Sequence, residues 1–142
     1  MAVKHAILAG VGGQGAILTA KVFVRGLMEA VRYASFLKPD GAAVINDFAI
    51  PSATVAAGLA EYPEGCLEAM KENFRCFTLR AADIAGELGS ARCMNIVLFG
   101  AMTRALGMDE IDWEAAIRDT VPPKFLELNL KAYRAGYAAA GK

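Results

Sequence analysis

The feature that most constrains the fold of this chain is a glycine turn between a short apolar segment and a long helix-forming stretch. Residues 5–9 run directly into a turn that places Gly10, Gly12 and Gly15 in the G-x-G-x-x-G spacing. In such turns the glycines permit a tight bend, close approach of a ligand to the backbone, and close packing of helix on strand. The following helix offers free N–H groups and partial positive charge to an anion. The predicted phosphate-binding residues are Gly10, Gly12, Gly13, Gln14 and Gly15. A purely structural turn is the alternative.

The sequence after the turn disfavours NAD as the ligand. A nicotinamide-binding unit continues into a second strand that ends in an acidic residue about 20 residues beyond the glycines. Here residues 23–36 instead continue the helical pattern. Glu29 follows Lys21 and Arg25 at four-residue spacing, so it fits a solvated stripe of paired charges better than a ribose ligand.

Composition indicates one domain that spans residues 1–142, with 56% hydrophobic and 21% charged residues. The formal net charge is +0 and the pI is near 6.6, so nothing indicates nucleic acid or an anionic membrane as a partner. No apolar run approaches the roughly 18 residues that cross a bilayer. Lys4 and His5 lead into the glycine turn rather than into the apolar core of a signal peptide. We therefore expect a cytoplasmic protein.

The chain carries few residues that could perform catalysis. Its three cysteines, Cys66, Cys76 and Cys93, show no C-x-x-C spacing, so ordinary buried or half-buried thiols are favoured over an iron–sulfur cluster or a zinc site. The single histidine, His5, lies in a predicted strand, and a triad has no second histidine to use. The sequence predicts no metal ligand and leaves the catalytic residues unknown.

Hydrophobic periodicity predicts an α/β chain in which apolar strands alternate with helices. The predicted strands are residues 3–9, 42–47 and 74–79, and the predicted helices are residues 14–37, 82–88, 92–106, 113–119 and 123–139. Gly107 is expected to close one helix, Asp112 to cap the next, and Pro123 to begin the last.

The last predicted helix carries Phe125, Asn129, Tyr133 and Tyr137 every four residues, on one stripe. A core-facing seam with one satisfied amide and a docking face rich in aromatic residues both fit this pattern. Periodicity shows the face without naming what covers it, so both interpretations stay open.

Two further polar residues adjoin apolar segments. Asn95 is favoured as a helix-start cap or a hydrogen-bonded core amide. Asp47 follows a predicted strand and is the best-placed carboxylate for a cleft at the end of an open parallel sheet. An aspartate that caps the turn before Ile50 and Pro51 is the favoured alternative.

Taken together, these segments resemble the gamma-type subunit of 2-oxoacid:ferredoxin oxidoreductases. The resemblance is carried by residues 7–15 with Leu18 and Lys21, by residues 37–47 with Ile50 and Pro51, by residues 94–101, and by residues 121–133 with Gly136. It covers nearly the whole chain in order, and it is closest to the indolepyruvate oxidoreductase beta subunit. It implies a three-layer Rossmann-like parallel sheet flanked by helices, reduced in strand number, with a helical C-terminal part.

The resemblance also implies a division of labour. Members of this family oxidatively decarboxylate a 2-oxoacid, join the acyl group to coenzyme A as cosubstrate, and pass electrons to ferredoxin. In the indolepyruvate type, thiamine diphosphate and [4Fe-4S] clusters belong to a large partner subunit. This chain would be the accessory subunit of a hetero-oligomer, active only in complex, with the glycine turn as its contact to a phosphate-bearing cofactor.

The chain departs from this family in one respect. Relatives carry a further segment with additional strands and a polar motif between the glycine-turn helix and the part that resembles residues 30–41. Here the pattern predicts that one helix is joined directly to a later one near residues 29–32. We expect the strand at residues 3–9 to pair directly with residues 42–47 or to form an exposed edge that self-associates. The alternative function is a noncatalytic interaction or regulatory module, derived from this subunit by loss of the substrate-facing segment. A stand-alone nucleotide-binding domain is disfavoured because the ribose-binding acid is absent.

Overall fold

The structure, a computed structural model, describes residues 34–38, 41–47, 57–59 and 64–141. Within these residues the strands are β1 (Ala42–Asn46) and β2 (Arg75–Leu79), and the helices are α1 (Cys66–Asn73), α2 (Ala81–Glu87), α3 (Met94–Ala105), α4 (Trp113–Thr120) and α5 (Pro123–Ala139). Short 3₁₀ helices lie at Ala34–Phe36 and Ala91–Cys93. None of the described helices is long and apolar enough to span a bilayer.

The two described strands form a parallel pair. Ala42 lies opposite Arg75, and the register continues to Asn46 opposite Leu79. A parallel pair needs a crossover connection, and α1 lies between the two strands in sequence. The predicted α/β fold is confirmed as a reduced Rossmann-like arrangement, and two of the three predicted strands are observed. The predicted strand at residues 3–9, with its expected pairing, lies outside the described residues.

The largest core cluster lies where α3 and α5 cross beside the end of β2. Val97, Leu98, Ala101 and Ala132 are 0% exposed in this cluster. Because these side chains have no contact with water, their burial supplies most of the local hydrophobic stabilisation. Smaller clusters attach α1 to β1 and α4 to α5.

Two glycines let α3 and α5 touch backbone to backbone. A Cβ atom built on Gly136 would lie 1.7 Å from the Val97 carbonyl oxygen. One built on Gly100 would lie 2.1 Å from the Tyr133 carbonyl oxygen. No side chain fits at either position without moving a helix, so the absence of Cβ sets the distance between the two helices.

Three predicted helix ends in the C-terminal part are confirmed, whereas the helix predicted to begin at residue 92 begins at Met94, after a 3₁₀ turn at Ala91–Cys93. The Asp112 carboxylate accepts a hydrogen bond from the Ala115 backbone N–H at 2.9 Å and so caps α4. Pro123 is the first residue of α5, where its missing N–H costs nothing. Gly107 follows the end of α3 with a φ of 56°, a left-handed conformation that favours glycine.

Two local expectations are corrected, and one helix was not predicted. Asn95 is not the cap of α3, because α3 begins one residue earlier at Met94. Ser90 caps the preceding 3₁₀ turn, Ala91–Cys93, where its hydroxyl accepts the Arg92 backbone N–H at 3.3 Å. The last residues of the helix predicted over 14–37 form a 3₁₀ turn, Ala34–Phe36, and residues 14–33 lie outside the described part. Helix α1 was not predicted, because Met70 is its single buried residue and its apolar period is therefore weak.

Candidate functional site

The glycine turn that is predicted to hold a phosphate lies outside the described residues. Its residues are Gly10, Gly12, Gly13, Gln14 and Gly15. His5 also falls outside the described part. The role of the turn therefore stays a prediction, and the described residues offer two other polar regions, the carboxyl end of the sheet and a groove beside α5.

At the carboxyl end of the sheet, a buried asparagine ties β1 to α2. Asn46 is 7% exposed. Its side-chain oxygen accepts the Ala81 backbone N–H at 3.1 Å, and its Nδ2 lies 3.5 Å from the Met94 sulfur. The amide thus satisfies a free N–H group in the first turn of α2. Sequence reasoning missed this residue, although an asparagine that ends an apolar strand was a visible signal.

Asp47 stands beside Asn46 and is exposed. Its backbone N–H donates to the Leu79 carbonyl at 2.9 Å and so extends the strand pair by one bond. The carboxylate lies at the edge where open parallel sheets bind ligands, as predicted. Because residues 48–56 lie outside the described part, both the cleft role and the turn-capping role of Asp47 stay predictions.

A groove of about 610 Å³ lies between the loop at residues 109–112, the start of α4 and the face of α5. Its apolar wall is formed by Ile111, Trp113, Tyr133 and Tyr137. Its polar lining is formed by Asp109, Glu110, Asp112, Glu114 and Arg134. We call this feature the acidic groove. The sequence signal that could have indicated it is the alternation of acidic and apolar residues from 109 to 114.

The aromatic wall of the acidic groove is fixed from behind. The Trp113 indole N–H donates to the Met108 carbonyl at 2.9 Å, and its ring meets Phe99 edge-on at 5.1 Å between centroids. The Tyr133 and Thr103 hydroxyls lie 3.2 Å apart inside the core, and burial raises the pKa of Tyr133. The rings of Trp113 and Tyr133 are therefore held in place by contacts behind the groove.

A second network holds the loop against α5. The Tyr137 hydroxyl donates to the Asp109 carboxylate and accepts a hydrogen bond from Arg104 at 3.0 Å. The Arg104 guanidinium also lies over the Tyr137 ring, 5.1 Å from its centroid. The position of Asp109 at the rim is thus set by side chains from both α3 and α5.

Charged pairs join α4 to α5 at the other side of the groove. Arg134 donates to both oxygens of Glu114, at 2.7 Å and 2.6 Å, and Arg118 donates to the same carboxylate at 2.9 Å. The hydrogen bonds from Arg134 hold the pKa of the Glu114 carboxyl below its usual range. The same carboxylate raises the pKa of Arg134. A bidentate pair of this kind fixes direction as well as distance.

The aromatic stripe of α5 divides into two halves. Tyr133 is buried in the core, and Tyr137 is half-buried beside it at 6.2 Å between ring centroids. Phe125 is 44% exposed, and the Asn129 amide donates to the Phe125 carbonyl within the same helix at 2.8 Å. The core-seam interpretation therefore holds for the C-terminal half of the stripe, and the N-terminal half remains open to solvent.

The cysteines have the predicted burial. Cys93 is buried, and Cys66 and Cys76 are half-buried. Burial raises the pKa of the Cys76 and Cys93 thiols, which donate to the backbone carbonyls of Met70 and Ser90. Within the described ranges, no three His, Cys, Asp or Glu side chains come together as metal ligands would.

Comparison with known proteins supplies the family. Residues 26–139 match the family described as pyruvate ferredoxin/flavodoxin oxidoreductase. The indolepyruvate oxidoreductase subunit IorB of Archaeoglobus fulgidus is 37% identical over 121 residues, which cover 79% of this chain and 58% of that protein. The IorB subunits of Thermococcus kodakarensis and Pyrococcus horikoshii are each 36% identical over 80% of this chain and 59% of their own length. The chain thus spans less than two thirds of these relatives.

A solved structure agrees on the fold. The gamma subunit of a keto/oxoacid ferredoxin oxidoreductase from Geobacter sulfurreducens has a TM-score of 0.59 and 24% sequence identity. The match covers 82% of this chain and 60% of that one. The resemblance inferred from the motifs is confirmed, and the chain belongs to the pyruvate ferredoxin/flavodoxin oxidoreductase family.

Proposed function

We propose that this chain is the accessory subunit of a 2-oxoacid:ferredoxin oxidoreductase that acts on indolepyruvate or a related aryl or branched oxoacid. The observation that carries the proposal is the 36% to 37% identity to IorB subunits over about four fifths of the chain. The complex would oxidatively decarboxylate the oxoacid, form the acyl-coenzyme A product and pass electrons to ferredoxin. It would work in the cytoplasm.

The cofactors of this reaction are assigned to the large partner subunit. Iron–sulfur clusters are held by cysteine thiolates, and the cysteines of this chain do not suit that role. Cys66, Cys76 and Cys93 lie in α1, β2 and a 3₁₀ turn, and burial favours the neutral thiol at two of them. A [4Fe-4S] cluster would therefore be held by the partner. The resemblance to the indolepyruvate type implies that thiamine diphosphate is also held there, and that ferredoxin meets the complex through the partner.

The contribution of this chain to the active site would come from its glycine turn. Gly10, Gly12, Gly13, Gln14 and Gly15 would contact a phosphate-bearing cofactor, either thiamine diphosphate or coenzyme A, when the subunits meet. The described α/β body would hold that turn against the partner. The support for this step is the motif spacing, since the match to the family begins at residue 26, beyond the turn.

Coexpression with the large subunit tests the proposal. The pair should co-elute in size-exclusion chromatography, and it should reduce a viologen dye anaerobically when an oxoacid and coenzyme A are both present. A series of aryl, branched and short oxoacids would then identify the substrate class. A Gly12→Val variant should lower the rate without loss of co-elution, because a side chain at that position blocks close approach of a ligand to the backbone.

A noncatalytic interaction module is the second candidate. It is favoured by one observation, the departure of this sequence from the family pattern near residues 29–32, where relatives carry a further polar segment. This candidate predicts a stable complex that shows no oxoacid-dependent dye reduction with this chain. Failure of the two subunits to co-elute would contradict both candidates.

A further inference from the structure

We propose that the acidic groove docks a basic segment of the large partner subunit. A lysine or arginine side chain of that segment would lie along Ile111 and Trp113 and place its cationic head among the carboxylates. The inference rests on the proposed function, because it requires a partner subunit.

Charge complementarity selects the kind of occupant. The groove lining carries the four carboxylates Asp109, Glu110, Asp112 and Glu114 and the guanidinium of Arg134. Glu114 is paired with both Arg134 and Arg118, and Arg104 reaches Asp109 only through the Tyr137 hydroxyl. The surplus of negative charge therefore lies at the exposed rim, on Asp109, Glu110 and Asp112. The chain as a whole has a formal net charge of +0, so this negative charge is a local feature. Complementary potentials steer association and fix register at interfaces, which favours a cationic partner here.

The apolar wall explains why a long cationic side chain fits better than a simple cation. Ile111 is 44% exposed, although it is a large aliphatic residue. Trp113 is half-buried and belongs to the same groove. Lysine and arginine cover apolar surface with their methylene stems while their charged heads stay polar, and tryptophan is the best ring for a cation. A groove of about 610 Å³ has room for such side chains.

The groove is also preorganised for binding. Glu114 is held by Arg134 and Arg118, and Asp109 is held by Tyr137. Glu110 is exposed, and within the part of the chain that the structure describes it has no hydrogen bond or ion pair. A fixed wall with one uncommitted carboxylate lowers the ordering cost of binding and leaves a charge for the partner.

Introducing a positive charge at the rim of the groove tests the docking. The variants Glu110→Lys and Ile111→Lys should each weaken the affinity for the purified large subunit about tenfold, with a smaller dependence on salt for Glu110→Lys. Glu87→Lys makes the same charge change at an exposed position of α2, outside the groove. It should bind like the wild-type chain, and all three variants should keep their circular dichroism spectrum.

The single tryptophan provides a direct reporter. The full chain, labelled with 5-fluorotryptophan, should give one fluorine NMR signal from Trp113, which should shift when the unlabelled large subunit is added. A shift that instead follows the concentration of this chain alone would assign the groove to a second copy and overturn the proposal. Lack of any complex with the wild-type chain would contradict the proposed function itself. A normal complex with an unmoved signal and unaffected variants would overturn only the docking site.

Discussion

The crossing of α3 and α5 and the acidic groove share helix α5 but are held by different forces. At the crossing, Gly136 meets the Val97 carbonyl with no room for one methyl group, and the surrounding side chains are 0% exposed. At the groove, Glu114 and Arg134 are held by charged hydrogen bonds in contact with water. The first region is fixed by shape and the second by polar contacts.

This difference separates stability from recognition. Close-packed interiors lose several kcal/mol when atoms are added or removed, whereas exposed ion pairs contribute little. The crossing should therefore determine whether the chain folds. The groove should tolerate substitution and remain available to a partner.

The largest effect is expected for Gly136→Ala. Its Cβ would lie 1.7 Å from the Val97 carbonyl oxygen, so α3 and α5 must separate and the core between them must loosen. We expect a loss of about 3 kcal/mol or more in the free energy of unfolding. Urea denaturation followed by circular dichroism measures this loss.

Gly86→Ala is the matched control for that variant. Gly86 lies inside α2, is exposed, and a Cβ there would meet nothing within 4 Å. Alanine should therefore stabilise the helix by about 0.5–1 kcal/mol. Equal stability of the two variants would undo the contrast between the crossing and the surface.

Thr103→Val is expected to have an intermediate effect. Thr103 is 0% exposed, and its hydroxyl bonds to the Gly100 carbonyl at 2.9 Å and to the Tyr133 hydroxyl at 3.2 Å. Valine keeps the shape of the side chain but lacks the hydroxyl, so the Gly100 carbonyl and the Tyr133 hydroxyl each lose a hydrogen bond. We expect a loss of about 1–3 kcal/mol in the free energy of unfolding. Thr120→Val removes a similar bond to a backbone carbonyl at an exposed site. An equal loss of unfolding free energy in Thr120→Val would show that burial of the hydroxyl does not explain the effect of Thr103→Val.

Asp112→Ala removes the cap of α4 at the rim of the groove. The Ala115 N–H would lose its partner at 2.9 Å, and thermal or urea unfolding should show a loss of about 1 kcal/mol. Asp119→Ala provides the control, because Asp119 lies in the last turn of the same helix, where a negative charge is unfavourable. That variant should be neutral or slightly stabilising. The reverse order of the two would contradict the capping role.

The smallest effect is expected for Glu114→Gln, and it should depend on pH. Since the folded-state pKa of Glu114 is lowered by Arg134, its contribution is complete above the ordinary glutamate pKa of about 4.3. It is lost as the pH falls through the lower folded-state pKa. Unfolding curves of the wild-type chain and Glu114→Gln should therefore converge in acid and with added salt. A gap that widens in acid would show that this linkage is wrong.

The sequence predicted those parts of the fold that depend on local chemistry. Asp112 and Pro123 begin α4 and α5 because capping and a missing N–H act within one turn. The strands β1 and β2 could be predicted because short, mostly apolar runs, AAVI in β1 and CF with Leu79 in β2, are typical of parallel strands. Helix α1 was not predicted, because Met70 is its single buried residue and gives no clear apolar period.

The remaining features depend on what the fold brings together from distant parts of the chain. Gly136 is visible in the sequence, but its need for close approach appears only when Val97 faces it. The role of Asn46 depends on the Ala81 backbone N–H, which is 35 residues away in sequence and reaches the asparagine side chain only in the folded chain. The acidic groove was missed for the same reason, since Glu114 and Arg134 are separated by 20 residues. The glycine turn and its ligand remain a prediction from motif spacing.

The most direct test of the account is to titrate this chain into separately purified large subunit and follow anaerobic, indolepyruvate-dependent viologen reduction with coenzyme A present. An accessory subunit predicts a rate that rises from background and saturates, with the half-maximal concentration raised about tenfold for Glu110→Lys and unchanged for Glu87→Lys. A rate that does not respond to the chain would contradict its assignment as a working subunit.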